Sequence, residues 1–135
     1  MKETKADFQR ATSLVEQATA DERSVKEAKL TELNVSTYVV VAYSSLRETL
    51  EAVCLLNGLH VTSHICVGEV ARKFIPNFSF SDFDRFRFAR NGISYYGTKI
   101  EFEEGRGLIG EILLMKRAVA EYIESKWKLG VKGLE

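Results

Sequence analysis

The sequence is poor in proline, histidine and cysteine. The single proline, Pro76, leaves long stretches on either side where a helix can run without a break. The two cysteines, Cys54 and Cys66, lie in apolar helical patterns, which suits buried thiols in a reducing compartment better than a disulfide framework. Together with His60 and His64 they lack the paired spacing of zinc modules, so we expect neither a metal site nor a cofactor.

Net charge and long apolar runs are missing as well. The chain carries 19 basic and 19 acidic residues, so no overall field draws it to nucleic acid or to an anionic membrane. No run approaches the roughly 18 apolar residues of a membrane span, and the charged N-terminus lacks the apolar segment of a signal peptide. We therefore expect a soluble, cytoplasmic protein that makes no membrane contact. Contact with a nucleic acid would have to come from a local patch of positive charge.

The sequence does contain enough apolar side chains for one core. With 45% hydrophobic residues among 135, we expect a single domain over residues 1–135, with a tail from about residue 130. The apolar side chains recur every three or four positions, sometimes two, and this spacing predicts helices.

The first half of the chain is predicted to form two helices. Residues 3–19 form a short amphipathic one, and Asp21 can cap the start of a second, long one. An apolar stripe then covers residues 30–57. Residues 36–43 within it are rich in β-branched and aromatic side chains, but apolar and polar positions do not alternate, so we predict helix there too. Gly58 ends this helix, because glycine accepts the left-handed conformation.

Three further helices are predicted in the second half. Thr62 or Ser63 can cap the first of them, and Pro76 follows its end. The predicted ranges are about 62–74, 81–97 and 106–128. Glycines near the start of the last helix weaken it by about 1 kcal/mol each, and a short extended piece near residue 100 is too brief for a sheet. The predicted fold is all-α, an up-and-down helical bundle of four to five helices.

Arginine and phenylalanine alternate at the start of residues 85–97. Residues 72–99 include six basic and two acidic residues, so this region carries a local charge of +4 in a neutral protein. Cations with interleaved rings suit a single-stranded nucleic acid, which offers phosphates and bases to them. The alternative is an aromatic core under solvated arginines, and helical spacing, which places Phe83, Phe86 and Arg90 near one face, favours it for the phenylalanines.

The order of these elements resembles the HEPN family of small helical domains over roughly residues 5–128. The features that carry the resemblance are the long helix ending in Leu-Leu-Asn-Gly-Leu at 55–59, Ser63-His64 opening the third helix, and Arg90-Asn91 near the end of the fourth. The resemblance implies a bundle that forms a homodimer. Many members of the family are metal-independent ribonucleases, often in toxin–antitoxin pairs.

The family motif is an arginine, a polar residue and then a histidine, which would stand here at 95, 96 or 97. These positions are Tyr95, Tyr96 and Gly97, while both histidines precede the motif. Carried over residue by residue, the catalytic candidates are Arg90, Asn91, Tyr95 and Tyr96. Arg47 and Glu48 resemble the polar pair that many members place near the site, and with Arg87 they are the substrate-binding candidates.

The missing histidine weakens the case for catalysis. Metal-free RNA cleavage needs one group that activates the ribose 2′-hydroxyl and one that protonates the leaving oxygen. Histidine does both because its pKa lies near 6.5, whereas a tyrosine pKa near 10 makes a poor base at neutral pH. We therefore expect weak or absent nuclease activity. His64 is interpreted as a structural residue at a helix start, with a role in the active site of a partner subunit as the alternative.

Three functional hypotheses follow. The first is a HEPN-like homodimer that binds RNA or a nucleotide through Arg90, Asn91, Tyr95 and Tyr96, with Gly92 permitting close approach of a second backbone. The second is a toxin-like ribonuclease in which a tyrosine replaces the histidine. The third is a helical module that pairs with a nucleotidyltransferase, as some HEPN relatives do.

Overall fold

The computed structural model describes residues 2–3, 6–60 and 64–129. Within them the chain forms an all-α helical bundle, as predicted. The helices are α1 (Phe8–Glu27), α2 (Val35–Leu56), α3 (His64–Phe74), α4 (Phe80–Tyr96) and α5 (Phe102–Lys126). Two strands of two residues each, β1 (Lys2–Glu3) and β2 (Leu59–His60), pair antiparallel beside it. In the described part of the chain, no helix is both long enough and apolar enough to cross a bilayer.

Helix α2 is the central element, and each of the other four helices contacts it. Its residues 36–43 are helical, as predicted. The helix also ends where predicted: its last residue is Leu56, Asn57 is its C-cap, and Gly58 follows with φ 75°. The α2 side chains that are fully shielded from solvent include Val35, Val39, Ala42, Tyr43, Leu46 and Val53. A helix that is apolar on several faces is buried by its neighbours, and this burial places α2 at the centre.

Helix α1 runs without a break through Asp21, so the predicted new start at this residue is wrong. The Asp21 carboxylate accepts a hydrogen bond from Gln17 Nε2 at 3.2 Å, one turn earlier on the same helix. The buried face of α1 continues across the predicted break through Ala18, Glu22 and Val25. This continuous buried face outweighs the capping tendency of aspartate.

The break between α1 and α2 is instead a loop closed by Thr31 and Asn34. The Asn34 side chain accepts from the Thr31 amide at 2.8 Å, and the Thr31 hydroxyl accepts from the Asn34 amide at 3.2 Å. At the other end of α1, Asp7 caps the first turn by accepting from the Arg10 amide at 2.9 Å. The helix therefore begins at Phe8, later than predicted.

Helix α5 begins at Phe102, four residues before the predicted start. The Glu101 side chain caps it by accepting from the Glu104 amide at 3.0 Å. Gly105 lies inside the helix, and a Cβ at this position would stand 2.6 Å from Cγ2 of Val35. The glycine thus lets the start of α5 approach the start of α2 where a side chain would collide.

The remaining boundaries lie close to the predicted ones. Helix α3 ends at Phe74, as predicted, and α4 begins at Phe80 because Ser79 caps it by accepting from the Asp82 amide at 3.1 Å. Gly97 ends α4 with φ 67°. The described residues between α4 and α5 form no strand. The predicted caps of α3 at 62 and 63 and the tail from 130 lie outside the described residues.

A buried ion pair joins α1 to α5. Lys116 Nζ lies 2.6 Å from Oε1 of Glu22, and both side chains are almost fully buried. Lys26 and Arg117 approach the other oxygen at 2.9 Å and 3.1 Å. Burial alone would raise the pKa of Glu22, but hydrogen bonds and charges from Lys116 and Lys26 outweigh it and lower the pKa to about 2. Glu22 is therefore ionised over the whole neutral range.

We expect the Glu22 ion pair to make the fold acid-sensitive. Because its folded-state pKa lies below the unfolded value of 4.5, its contribution is present above about pH 4.5 and is lost as pH falls towards 2. Glu22→Gln should lower the free energy of unfolding by roughly 3 kcal/mol at pH 6, measured by urea denaturation. The gap between variant and parent should narrow at pH 3.

The exposed Glu16 of the same helix supplies the control. Glu16→Gln should change the free energy of unfolding by less than about 0.5 kcal/mol at both pH values. A difference between Glu22→Gln and the parent protein that stays constant from pH 6 to pH 3 would contradict the assignment of the ion pair.

Candidate functional site

The candidate site begins with the face of α4 that meets α2. Phe83 and Phe86 are buried on this face, as helical spacing predicted. Arg90 follows four residues after Phe86 on the same side of the helix. Phe88 is different: it lies on the outer face and is 77% exposed. The expectation of a buried aromatic core therefore holds for Phe83 and Phe86 and fails for Phe88.

The side chain of Arg90 lies between two tyrosines. Its guanidinium carbon is 5.9 Å from the ring centroid of Tyr43 on α2 and 5.2 Å from that of Tyr95 on α4. Its Nη1 donates to the Asn91 side-chain oxygen at 3.2 Å and to the Tyr95 hydroxyl at 3.0 Å. Three of the four catalytic candidates from the motif, Arg90, Asn91 and Tyr95, are thus in direct contact.

Tyr43 connects this group to the core. Its side chain is fully buried, and its ring stacks on that of Phe83 with centroids 6.0 Å apart. Burial raises the pKa of Tyr43 to about 12, although the positive charges of Arg90, Arg47 and Arg87 act in the opposite direction. The Tyr43 hydroxyl therefore stays protonated. Three guanidinium groups from two helices lie close enough to act on its pKa.

The arginines differ in how they are neutralised. Arg47 forms an ion pair with Glu51, one turn further along α2. Arg87 donates to Asp84 through Nε at 3.0 Å and Nη2 at 2.7 Å. Among the described residues, Arg90 has only neutral hydrogen-bond acceptors, and its Nε is buried without any. Within the part of the chain that the structure describes, Arg90 is therefore the cation of this cluster that has no carboxylate partner.

Two further arginines of the predicted basic patch also form ion pairs. Arg85 Nη2 donates to Glu111 on α5 at 2.8 Å and to Asp82 at 3.3 Å. Arg72 donates to Glu69 at 2.7 Å. The local charge of +4 counted along the sequence therefore overstates the positive surface, because carboxylates from outside the counted stretch balance part of it.

Two of the other site candidates lie apart from Arg90. Tyr96 is 82% exposed, and no hydrogen bond or ring contact joins it to Arg90 within the described residues. Glu48 is only 8% exposed and faces Asp21 on α1, and one of its oxygens is buried without a hydrogen-bond partner. The structure thus places Arg47 and Arg87 near the motif, whereas the side chain of Glu48 points into the interface between α1 and α2.

Glu48 is held in its protonated form by its surroundings. Burial is the main cause that raises its pKa, and the hydrogen bond and negative charge of Asp21 add to the effect. The pKa reaches about 8, because the nearby Arg47 compensates only in part. At neutral pH this side chain can share its proton with Asp21, which suits a contact between helices better than a contact with an anionic ligand.

Sequence reasoning missed two members of the cluster, Tyr43 and Glu51. Both could have been found from their spacing, because Tyr43, Arg47 and Glu51 follow one another at intervals of four on α2 and therefore share one face. Cys54 is a buried thiol, as expected. The side chains of His64 and Cys66 lie outside the described part of the chain.

Comparison with known proteins finds no family model, no curated protein and no solved structure that matches the chain. The function must therefore be argued from the geometry of the site. Within the described residues, no three histidine, cysteine or acidic side chains form a group that could hold a metal ion. Among the described residues, the cluster offers a guanidinium without a carboxylate partner, a phenol beside it, and aromatic rings on the outer face of α4.

We expect Glu48→Gln to stabilise the protein at alkaline pH. The folded-state pKa of Glu48 is raised from 4.5 to about 8. The stability of the parent protein is therefore highest below the unfolded-state pKa of 4.5 and is lost as pH rises from there through 8. Glutamine keeps a donor for Asp21 and removes this loss. Since each unit of pKa shift corresponds to about 1.4 kcal/mol, the free energy of unfolding should exceed that of the parent by several kcal/mol at pH 9, measured by urea denaturation.

At pH 4 the two proteins should be equally stable, because Glu48 is protonated in both folded and unfolded chains. Glu121→Gln, an exposed substitution on α5, serves as the control and should show no such trend. A Glu48→Gln variant that is destabilised equally at pH 4 and pH 9 would show that the carboxyl pair has been misassigned.

Proposed function

We propose that this protein is a HEPN-like homodimer that binds RNA or a nucleotide through the site around Arg90. The observation that carries the proposal is the state of the Arg90 side chain. It lies between the rings of Tyr43 and Tyr95, and its hydrogen-bond acceptors among the described residues are neutral oxygens. A planar guanidinium held in this way matches the geometry of a phosphate, which would supply the missing anionic partner.

The aromatic side chains beside Arg90 support a nucleotide rather than a bare anion. Phe88, Tyr95 and Tyr96 are all exposed, and helical spacing places them on the outer side of α4. A base that stacks on such a ring contributes about 1–3 kcal/mol. The phosphate would then be bound by Arg90 while an adjacent base covers one of these rings. The ion pairs of Arg47 with Glu51 and of Arg87 with Asp84 leave little further positive potential beside it.

The cluster is better suited to binding than to cleavage. Tyr43 is too strongly held in its protonated form to act as a base, since its pKa lies at about 12. Glu51 is bound to Arg47. One observation favours the ribonuclease alternative: the Tyr95 hydroxyl lies 3.0 Å from Arg90 Nη1, where it could donate a proton to a leaving oxygen on a bound phosphate.

The dimer is carried over from the family resemblance. A Cβ at Gly92 would stand 3.5 Å from the Thr98 hydroxyl, an ordinary contact within one subunit. Gly92 is thus compatible with close approach of a second backbone but is not required to be glycine by its own subunit.

We expect Arg90→Ala to weaken RNA binding by at least about tenfold, because a hydrogen bond to a charged group contributes roughly 1.5–3 kcal/mol. Fluorescence anisotropy with a labelled single-stranded RNA of about 12 nucleotides, titrated at several salt concentrations, measures this effect. The slope of log affinity against log salt should fall by about 0.7, the contribution of one phosphate. Tyr95→Phe should cause a smaller loss.

Arg106→Ala is the matched control, since Arg106 is exposed on α5 and forms a surface ion pair with Glu103. It should leave both affinity and salt slope unchanged. Equal binding by the Arg90→Ala and Arg106→Ala variants would refute the site. Incubation of the RNA with the protein in chelator tests the alternative: cleavage that disappears in both Arg90→Ala and Tyr95→Phe would establish a ribonuclease.

A further inference from the structure

Three cationic side chains from two helices share a single carboxylate where α1 meets α5. Lys116 Nζ donates to Oε1 of Glu22 at 2.6 Å. Lys26 Nζ and Arg117 Nη2 both approach the other oxygen of Glu22, at 2.9 Å and 3.1 Å. One negative charge therefore stands against three positive ones, and this group of four side chains keeps a local excess of +2.

The three cations have more hydrogen-bond donors than Glu22 can receive. A lysine ammonium carries three N–H donors and an arginine guanidinium carries five. Within the described part of the chain, Glu22 supplies the only acceptor found for each of the three cations. The side chain of Lys116 is 8% exposed, so bulk water has little access to its remaining donors. A buried ammonium with one acceptor favours a second acceptor close to Glu22.

The other charged residues nearby do not cancel this excess. Those within four positions of the group along α1 and α5 are three carboxylates and two cations: Asp21, Glu27, Glu121, Arg23 and Lys29. With them the set has five cations and four carboxylates, and it stays positive. Among the residues that the structure describes, none of the three added carboxylates forms an ion pair with a cation of the group. On α2, Glu48 faces Asp21 and is protonated at neutral pH.

A dianionic phosphate group matches the excess in charge. Its second pKa lies near 6, so it carries about −1.5 to −2 at neutral pH and would bring the three cations and Glu22 close to neutrality. Burial raises the pKa of Glu22, but hydrogen bonds and charges from Lys116 and Lys26 lower it to about 2. Glu22 therefore stays ionised and continues to hold the cations while the ion binds beside it.

The two exposed cations also match a phosphate in geometry. The side chains of Lys26 and Arg117 are 54% and 55% exposed, so an ion from solvent can reach both. They come from different helices and meet at one oxygen of Glu22, so one ligand can contact both. The planar guanidinium can bond two phosphate oxygens at once, and the ammonium adds a point charge. A chloride ion offers one charge and no such pair of oxygens.

We propose that the contact between α1 and α5 is a binding site for a dianionic phosphate group, which Arg117 and Lys26 contact and Lys116 supports as a buried third cation. The site does not depend on the proposed function, because Arg90 lies on α4 against Tyr43 of α2, whereas this group belongs to α1 and α5. The free ion and a small phosphomonoester present the same group to these cations.

Titration of the isotope-labelled full chain with inorganic phosphate, followed by NMR, tests the site. With sodium chloride adjusted to constant ionic strength, the signals of residues 22–26 and 116–117 should shift. Arg117→Ala should weaken phosphate binding at this site by about tenfold or more, since it removes a hydrogen bond between charged groups. Lys26→Ala should weaken it as well. Circular dichroism identical to that of the parent protein verifies that both variants fold.

Arg106→Ala is the matched control, because Arg106 is an exposed arginine of the same helix that pairs with Glu103 alone. It should bind phosphate between α1 and α5 with the affinity of the parent protein. Equal affinities of the Arg117→Ala and Arg106→Ala proteins would overturn the site. Signals of residues 22–26 and 116–117 that do not move up to about 20 mM phosphate would overturn it as well.

A change of pH tests the charge of the ligand. Phosphate affinity should fall between about pH 7.5 and about pH 5.5, because the ion gains a proton near pH 6. Sulfate stays dianionic over this range and should keep its affinity, since Glu22, with a pKa of about 2, does not titrate there. Phosphate affinity that does not change with pH would contradict the requirement for a dianion. Tighter binding of glycerol 3-phosphate than of inorganic phosphate would assign a phosphomonoester as the ligand, and equal binding would assign the free ion.

The positions of the shifted signals separate this inference from the proposed function. Phosphate can also bind at Arg90, where it would shift signals of α4 around residue 90, and Arg90→Ala would abolish that effect. Shifts confined to α4 would support the Arg90 site and overturn the site between α1 and α5. Shifts that remain at residues 22–26 and 116–117 in the Arg90→Ala protein would support the site between α1 and α5, whatever the result with RNA.

Discussion

The packing of Tyr43 is the interaction on which the site depends. Its ring is buried against Phe83, so the same side chain fixes α4 on α2 and forms the surface on which Arg90 lies. Since its pKa is raised to about 12, the hydroxyl is neutral at any physiological pH and does not neutralise the cation. A core contact therefore determines both the position of Arg90 and its remaining positive charge.

Two buried carboxyl groups, Glu22 on α1 and Glu48 on the face of α2 that meets α1, show why burial alone does not determine protonation. Glu22 and Glu48 are almost equally shielded from solvent, yet the pKa of Glu22 is lowered to about 2 and that of Glu48 is raised to about 8. The difference lies in the neighbours, because Lys116 and Lys26 bond to Glu22 whereas Asp21 faces Glu48. Helix α1 is thus held by one ionic contact and one protonated contact, with opposite pH dependence.

Periodicity was sufficient to predict the helices, because the buried faces of the long ones are continuous in sequence. It correctly assigned residues 36–43 as helix, and the left-handed conformation open to glycine correctly marked Gly58 as the end of α2. The prediction at Asp21 was wrong because a local capping preference was given more weight than the buried stripe that continues through Glu22. Helix starts depend on single hydrogen bonds such as the one from the Glu104 amide to Glu101, and one-dimensional patterns do not reveal them.

Ion pairs between residues far apart in the chain could not be predicted from the sequence, and they change the interpretation of the site. Arg85 is bound by Glu111, which is 26 positions away, so a charge count over a short stretch could not include its partner. Glu48 follows Arg47 directly, but one step along a helix turns the side chain by about 100°, which is enough to direct it towards α1.

The pairing also decides what kind of ligand the surface can select. A wide patch of unpaired arginines would attract any polyanion and would lose affinity steeply with salt. Here the neighbouring guanidiniums are bound by carboxylates, and the chain as a whole has no net charge. Under the proposed function, recognition would depend on the fit of one phosphate against the Arg90 guanidinium and on stacking of a base beside it. Such a site would distinguish ligands by shape, because little long-range attraction remains to bind the wrong ones.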